Sequence, residues 1–151
     1  MVVLGLDTAT KTGWAFYDSK TKRVIESGVQ DFSKKRGESN GLVFLRFRKW
    51  IASTIQQGAE LVAYEQAHHR GGAATELCVN LTGRVQEACA ALHIECATVR
   101  TMTLKKFATG KGNAGKPEMI AAAHPVIGRP PIDDNEADAV HVARWAAEEY
   151  A

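Results

Sequence analysis

Two short apolar runs that each end in an acid constrain this chain more than any other feature. Val2-Val3-Leu4-Gly5-Leu6 runs into Asp7, and Leu61-Val62-Ala63-Tyr64 runs into Glu65. Each run has the length of a buried strand. A carboxylate at the end of such a strand is costly unless it is paired, protonated or bound to a cation. Two strands of one sheet would deliver both acids at their carboxyl ends to a single crevice. Like charges so placed repel, and a divalent cation relieves the conflict.

A third supply of acid is Asp133-Asp134-Asn135-Glu136-Ala137-Asp138. On a helix, Asp134 and Asp138 are four apart and can face one point. Oxygen ligands of this kind suit Mg²⁺ or Mn²⁺ and disfavour zinc. Each acid also has a plainer reading. Asp7 can cap the turn from Thr8 to Thr12, and Glu65 can pair with Arg70. Asp133 reads as a helix N-cap, with Glu136 reaching back to it. Asp134 then sits near the positive end of that helix. Asp138 is hardest to set aside, because it lies inside the helix between Ala137 and Ala139.

The rest of the chain supplies a sheet for these strands. Gly13–Asp18 alternates, and Val24–Phe32 reads as a third strand, so the first three strands form an antiparallel meander. Phe44, Phe47, Ile51 and Ile55 recur at helical spacing. Ala73–Leu92 reads as a long helix and Cys96–Arg100 as a fifth strand. Pro117 opens a helix to about Ala123. Pro125, Pro130 and Pro131 mark a long connection before a last helix from about Asp134 to Glu149. The order β-β-β-α-β-α-β-α-α predicts an α/β fold, a mixed five-stranded sheet with helices on both faces.

With 151 residues, 45% of them hydrophobic and 24% charged, one folded domain over 1–151 is expected, and disorder is excluded. No apolar run approaches the ~20 residues that span a bilayer, so no membrane partner is expected. Cys78, Cys89 and Cys96 match no zinc spacing and read as buried thiols of a cytoplasmic protein. The net charge of +2 allows a nucleic-acid partner without demanding one.

Gly110-Lys111-Gly112-Asn113-Ala114-Gly115-Lys116 has the spacing of a nucleotide-binding P-loop, but Pro117 stands where a magnesium-holding Ser or Thr belongs. Phosphate contact is the better reading. Glycines let the backbone approach, lysines supply charge, and the following helix offers its positive end. A solvated loop is the plain alternative.

Gly5-Leu6-Asp7-Thr8 followed by Thr12-Gly13-Trp14-Ala15 resembles the first hairpin of the RuvC family of Holliday-junction resolvases. Tyr64-Glu65-Gln66 resembles its second acidic motif. Lys105 to Lys116 resembles its basic, glycine-bearing segment, and Glu136-Ala137-Asp138-Ala139 its final acidic helix. The short length and the Asp-Asp-Asn-Glu-Ala-Asp-Ala run look like phage-type members. The resemblance implies a ribonuclease H-like fold, a homodimer, and cleavage of four-way DNA junctions with Mg²⁺, Mn²⁺ substituting, at two ions per site. It implies Asp7, Glu65 and Asp138 as catalytic metal-binding acids, and DNA or transition-state roles for Lys105 and Lys116.

Two positions depart from the family pattern. Asn135 stands where the family often has a fourth acid or a His, and Asp134 is the candidate to replace it. His68 stands where an aromatic wedge is common. Lys111, His68 and Arg70 complete the expected DNA-binding set. Other branched DNA or RNA substrates, an actin-like nucleotide-binding lobe and an inactive DNA-binding module are the competing readings.

Overall fold

The computed structural model describes residues 1–67 and 71–151. The strands are β1 (Val2–Asp7), β2 (Lys11–Asp18), β3 (Arg23–Asp31), β4 (Leu61–Glu65) and β5 (Glu95–Val99). The helices are α1 (Asn40–Ile55), α2 (Gly72–Ala91), α3 (Thr101–Thr109), α4 (Lys116–Ile127) and α5 (Asp134–Tyr150). The strands form one mixed sheet in the order β3-β2-β1-β4-β5. β1 pairs antiparallel with β2 and parallel with β4, and β4 pairs parallel with β5.

The sheet divides two hydrophobic cores, and strand parity decides which residue enters which. Val3, Leu61 and Ala63 pack into the core shared with α3, α4 and α5. Leu4, Leu6 and Val62 pack on the other face with Phe47 and Ile51 of α1 and Leu81 and Val85 of α2. Successive side chains of a strand point to opposite faces. Asp7 and Glu65 therefore share the parity of Val3, Leu61 and Ala63 and fall on the α5 face. Gly5 pairs with Ala63 and Leu6 with Tyr64, so the next residues, Asp7 and Glu65, end adjacent parallel strands side by side.

Two glycines let α5 come down onto that face. A methyl group at Gly5 would overlap the Ala139 carbonyl and the Ala143 backbone and Cβ. One at Gly13, the β2 partner of Asp7, would overlap the Asn135 carbonyl. The helix answers with small residues of its own, Ala139 and Ala143, both fully buried. Backbone thus rests almost on backbone, and the first turns of α5 sit beside Asp7.

Two local readings of the sequence are corrected. Thr101–Thr109, where the sequence pattern predicts no element, is a helix. Its N-cap, Arg100, makes no side-chain cap, and its threonines are poor helix formers. Burial of Leu104 anchors it, and Gly110 ends it in the left-handed region at φ 85°. Pro125 marks no connection: it lies in the last turn of α4, which runs on to Ile127 before Gly128 closes it at φ 87°. Proline there forfeits its own N–H bond to the Ala121 carbonyl and crowds that carbonyl, yet the helix continues for two residues beyond it.

Candidate functional site

β1 brings Asp7, β4 brings Glu65, and the first two turns of α5 bring Asp134 and Asp138. A cleft of about 140 Å³ is lined by Glu65, Asp134 and Asp138 with Thr101, Lys105, Lys116 and Met119. Asp7 lies within electrostatic reach of Glu65, Asp138, Asp134 and Asp133. The turn after Asp7 is closed by Thr12, whose Oγ1 accepts from Ala9 N at 3.3 Å and donates to Ala9 O at 2.6 Å. The turn therefore has its own closure without a cap from Asp7. Glu65 Oε1 accepts from the Thr101 hydroxyl at 3.1 Å, a partner that no sequence signal marked.

Burial and crowding raise two of the acids, Asp7 and Asp138. Burial, then Glu65 and Asp138, hold Asp7 well above the usual carboxylate range. Burial, then Glu65 and Asp134, push Asp138 up to about 7, against the pull of Lys105 and Lys116. Asp138 Oδ1 is buried with no hydrogen-bond partner. Cys78 reports the same field. Its thiol donates to Thr8 O at 3.2 Å and is raised by burial and by Asp7 and Glu65. Of the three thiols, Cys89 alone is fully buried, whereas Cys78 and Cys96 are partly exposed; all three are free.

The lysines divide. Lys105, on α3, lines the cleft. Lys116, the first residue of α4, sets its Nζ 3.5 Å from Asp134 Oδ2 while remaining 79% exposed. Lys111 is exposed beyond the lining, in the turn after α3. His68 and Arg70 lie outside the described residues, as does the expected Glu65–Arg70 pair. His141 turns away from the acids: it is fully buried, and its Nε2 lies 2.9 Å from the Met119 carbonyl of α4.

Asp133 caps α5 as expected, accepting from Glu136 N at 3.0 Å. Glu136 does not reach back to it. Its carboxylate is fully buried and accepts from Arg129 Nη1 at 2.9 Å, Arg129 Nη2 at 2.6 Å, Ser27 Oγ at 2.8 Å and Ile132 N at 2.6 Å. Burial alone would raise this carboxyl, but these bonds hold it below its ordinary value. Arg129 and Ser27 went unnoticed in the sequence.

The orphaned Asp138 oxygen and the all-carboxylate donor set fit a hard divalent cation. Among the described residues, however, no three His, Cys, Asp or Glu side chains are gathered as a ready-made set of ligands. The acids converge without forming a closed cage.

Two solved structures match almost the whole chain. A Thermus thermophilus RuvC structure aligns with a TM-score of 0.81 and 22% identity, covering 97% of this chain and 93% of that one. The fold is that of RuvC. T. thermophilus RuvC in complex with a Holliday junction substrate aligns with a TM-score of 0.82 and 21% identity over the same shares. The five-stranded mixed sheet is accordingly the ribonuclease H-like sheet of the RuvC fold. No family model matches the chain, and no curated protein matches it by sequence.

Proposed function

We propose that this chain is a divalent-metal-dependent endonuclease that cuts branched DNA, the four-way junction being its substrate. The observation that carries the reading is the convergence of Asp7, Glu65, Asp134 and Asp138, from three distant stretches of chain, beside two lysines on a RuvC-like fold. Asp7, Glu65, Asp134 and Asp138 would hold two Mg²⁺ or Mn²⁺ ions. Bound there, such ions activate water and stabilise the leaving oxygen of a phosphodiester.

The chain's own groups do the rest. Carboxylates with raised affinity for protons exchange them for a cation, so the repulsion that costs stability becomes cation affinity. Thr101 orients Glu65 through its hydroxyl. Lys116, exposed at the mouth and near Asp134, meets the phosphate and offsets charge that develops on it. Lys105 and Lys111 extend the basic track along the backbone of the nucleic acid. The neighbour's Holliday junction supports branched DNA as the substrate class. A homodimer belongs to the same reading, since two copies would set two sites against symmetric strands.

The test compares cleavage of a four-way junction, a flap, linear duplex and an RNA–DNA hybrid, in Mg²⁺ and in EDTA. Junction cleavage in Mg²⁺ alone, absent in Asp7→Asn, is expected. Equal rates on all four substrates overturn junction selectivity, and cleavage in EDTA overturns the metal role.

A further inference from the structure

Glu136 presents a contrast within one helical turn. At 3.6 residues per turn it stands about 180° around α5 from the midpoint of Asp134 and Asp138. Those two look toward β4 and α3; Glu136 looks toward β3, where it meets Ser27. Its four donors come from three separate places: the β3 strand, the Arg129 side chain just after α4, and the backbone at Ile132. Arg129 grips both carboxylate oxygens with both terminal nitrogens, the forked geometry that fixes direction as well as distance. The same guanidinium donates to Pro130 O at 3.0 Å and Ser27 O at 3.4 Å. A buried ion pair is poor evidence for stability, because well-packed apolar groups often serve as well. Four donors saturating one carboxylate at the foot of α5 specify a position instead.

We propose that the Arg129–Glu136–Ser27 clasp is the positioning device of the carboxylate site. Gly5 and Gly13 set how deep α5 sits, and its buried alanines and valines hold its later turns. The clasp fixes the first turn on the β3 side and so aims Asp134 and Asp138 at Asp7 and Glu65 on the other. Arg129 and Glu136 are positioning residues and touch no substrate.

Resting as this role does on the carboxylates serving as a cation site, it is tested with a cation first. The full chain is titrated with Mn²⁺ by calorimetry, and junction cleavage is resolved into kcat and KM. Arg129→Met and Glu136→Gln are expected to weaken Mn²⁺ binding by at least about tenfold, as loss of a ligand's supporting contacts does. They should lower kcat with KM nearly unchanged. Arg129→Lys, which keeps the charge but not the fork, should fall between them and the natural protein; it carries the test if Arg129→Met does not fold. Ile51→Val, in the opposite core, should lower the melting temperature without moving Mn²⁺ affinity. Natural Mn²⁺ affinity in the clasp variants, or an equal loss in Ile51→Val, overturns the proposal. If the natural chain takes up no Mn²⁺, the nuclease reading fails by itself. The clasp is then decided by amide exchange in the metal-free chain. Faster exchange at residues 137 and 138 in Arg129→Lys, with β1 unchanged, supports it; unchanged exchange overturns it.

Discussion

Asp138 and Glu136 are two residues apart on α5, Glu136 wholly buried and Asp138 partly so, and the fold treats them in opposite ways. Glu136 is saturated by Arg129, Ser27 and a backbone amide, and it holds its charge more firmly than a free carboxylate. Asp138 has an orphaned oxygen and acid neighbours, and it titrates near neutrality. Each has a buried carboxylate oxygen; the number of donors separates them. One carboxylate is finished by the fold, and the other is left for something the chain does not contain.

The contrast breaks most decisively at the unfinished acids. Asp7→Asn or Asp138→Asn should reduce junction cleavage by more than about 10³-fold. Either should leave metal-free DNA binding intact or stronger, because a negative charge is removed from a phosphate site. Rate and gel-shift measurements check this; turnover near that of the natural protein would return these acids to a structural role. The metal-free protein should next show an inverted pH response. Asp7 and Asp138 have folded values above their unfolded ones; the stability linked to Asp138 is present below about pH 4 and lost as pH rises through about 7, and Asp7 acts in the same direction. The loss should be on the order of a few kcal/mol. Saturating Mg²⁺ should flatten the slope, which melting curves from pH 4.5 to 8 would record.

Stability should then move in opposite directions at the two neighbours. Glu136→Gln should cost about 1–3 kcal/mol, since charged hydrogen bonds are lost in a buried setting. Asp138→Asn should raise the metal-free melting temperature. Glu136 contributes its stability above its unfolded value near 4.5 and loses it only as pH falls through a still lower folded value. Equal signs for the two substitutions would erase the distinction. The smallest effect belongs to Lys116→Ala, which should slow cleavage and reduce the salt slope of DNA binding by about one. An unchanged slope would leave Lys116 a solvated residue.

Much of this site was legible from periodicity. Two apolar runs ending in acid already direct Asp7 and Glu65 to one crevice; their shared face follows only from the β1–β4 register. A four-residue spacing puts Asp134 with Asp138. What could not be read was contact between chain segments far apart. Arg129 stands seven residues before Glu136 with two prolines between them, and Ser27 more than a hundred residues before it. Glu136 also occupies the position of a capping-box acid, so a local explanation competed with the distant one. α3 was hidden because nothing caps its start and its threonines mimic a turn. Pro125 misled because proline usually ends a helix, and here the helix was about to end anyway.

The seat at Gly5 and Gly13 has a last consequence. Where side chains meet, a misfit can be absorbed by a rotamer; where main chain lies on main chain, nothing yields. Anyone transplanting these acids to a new scaffold must therefore copy two missing methyl groups before copying a single carboxylate.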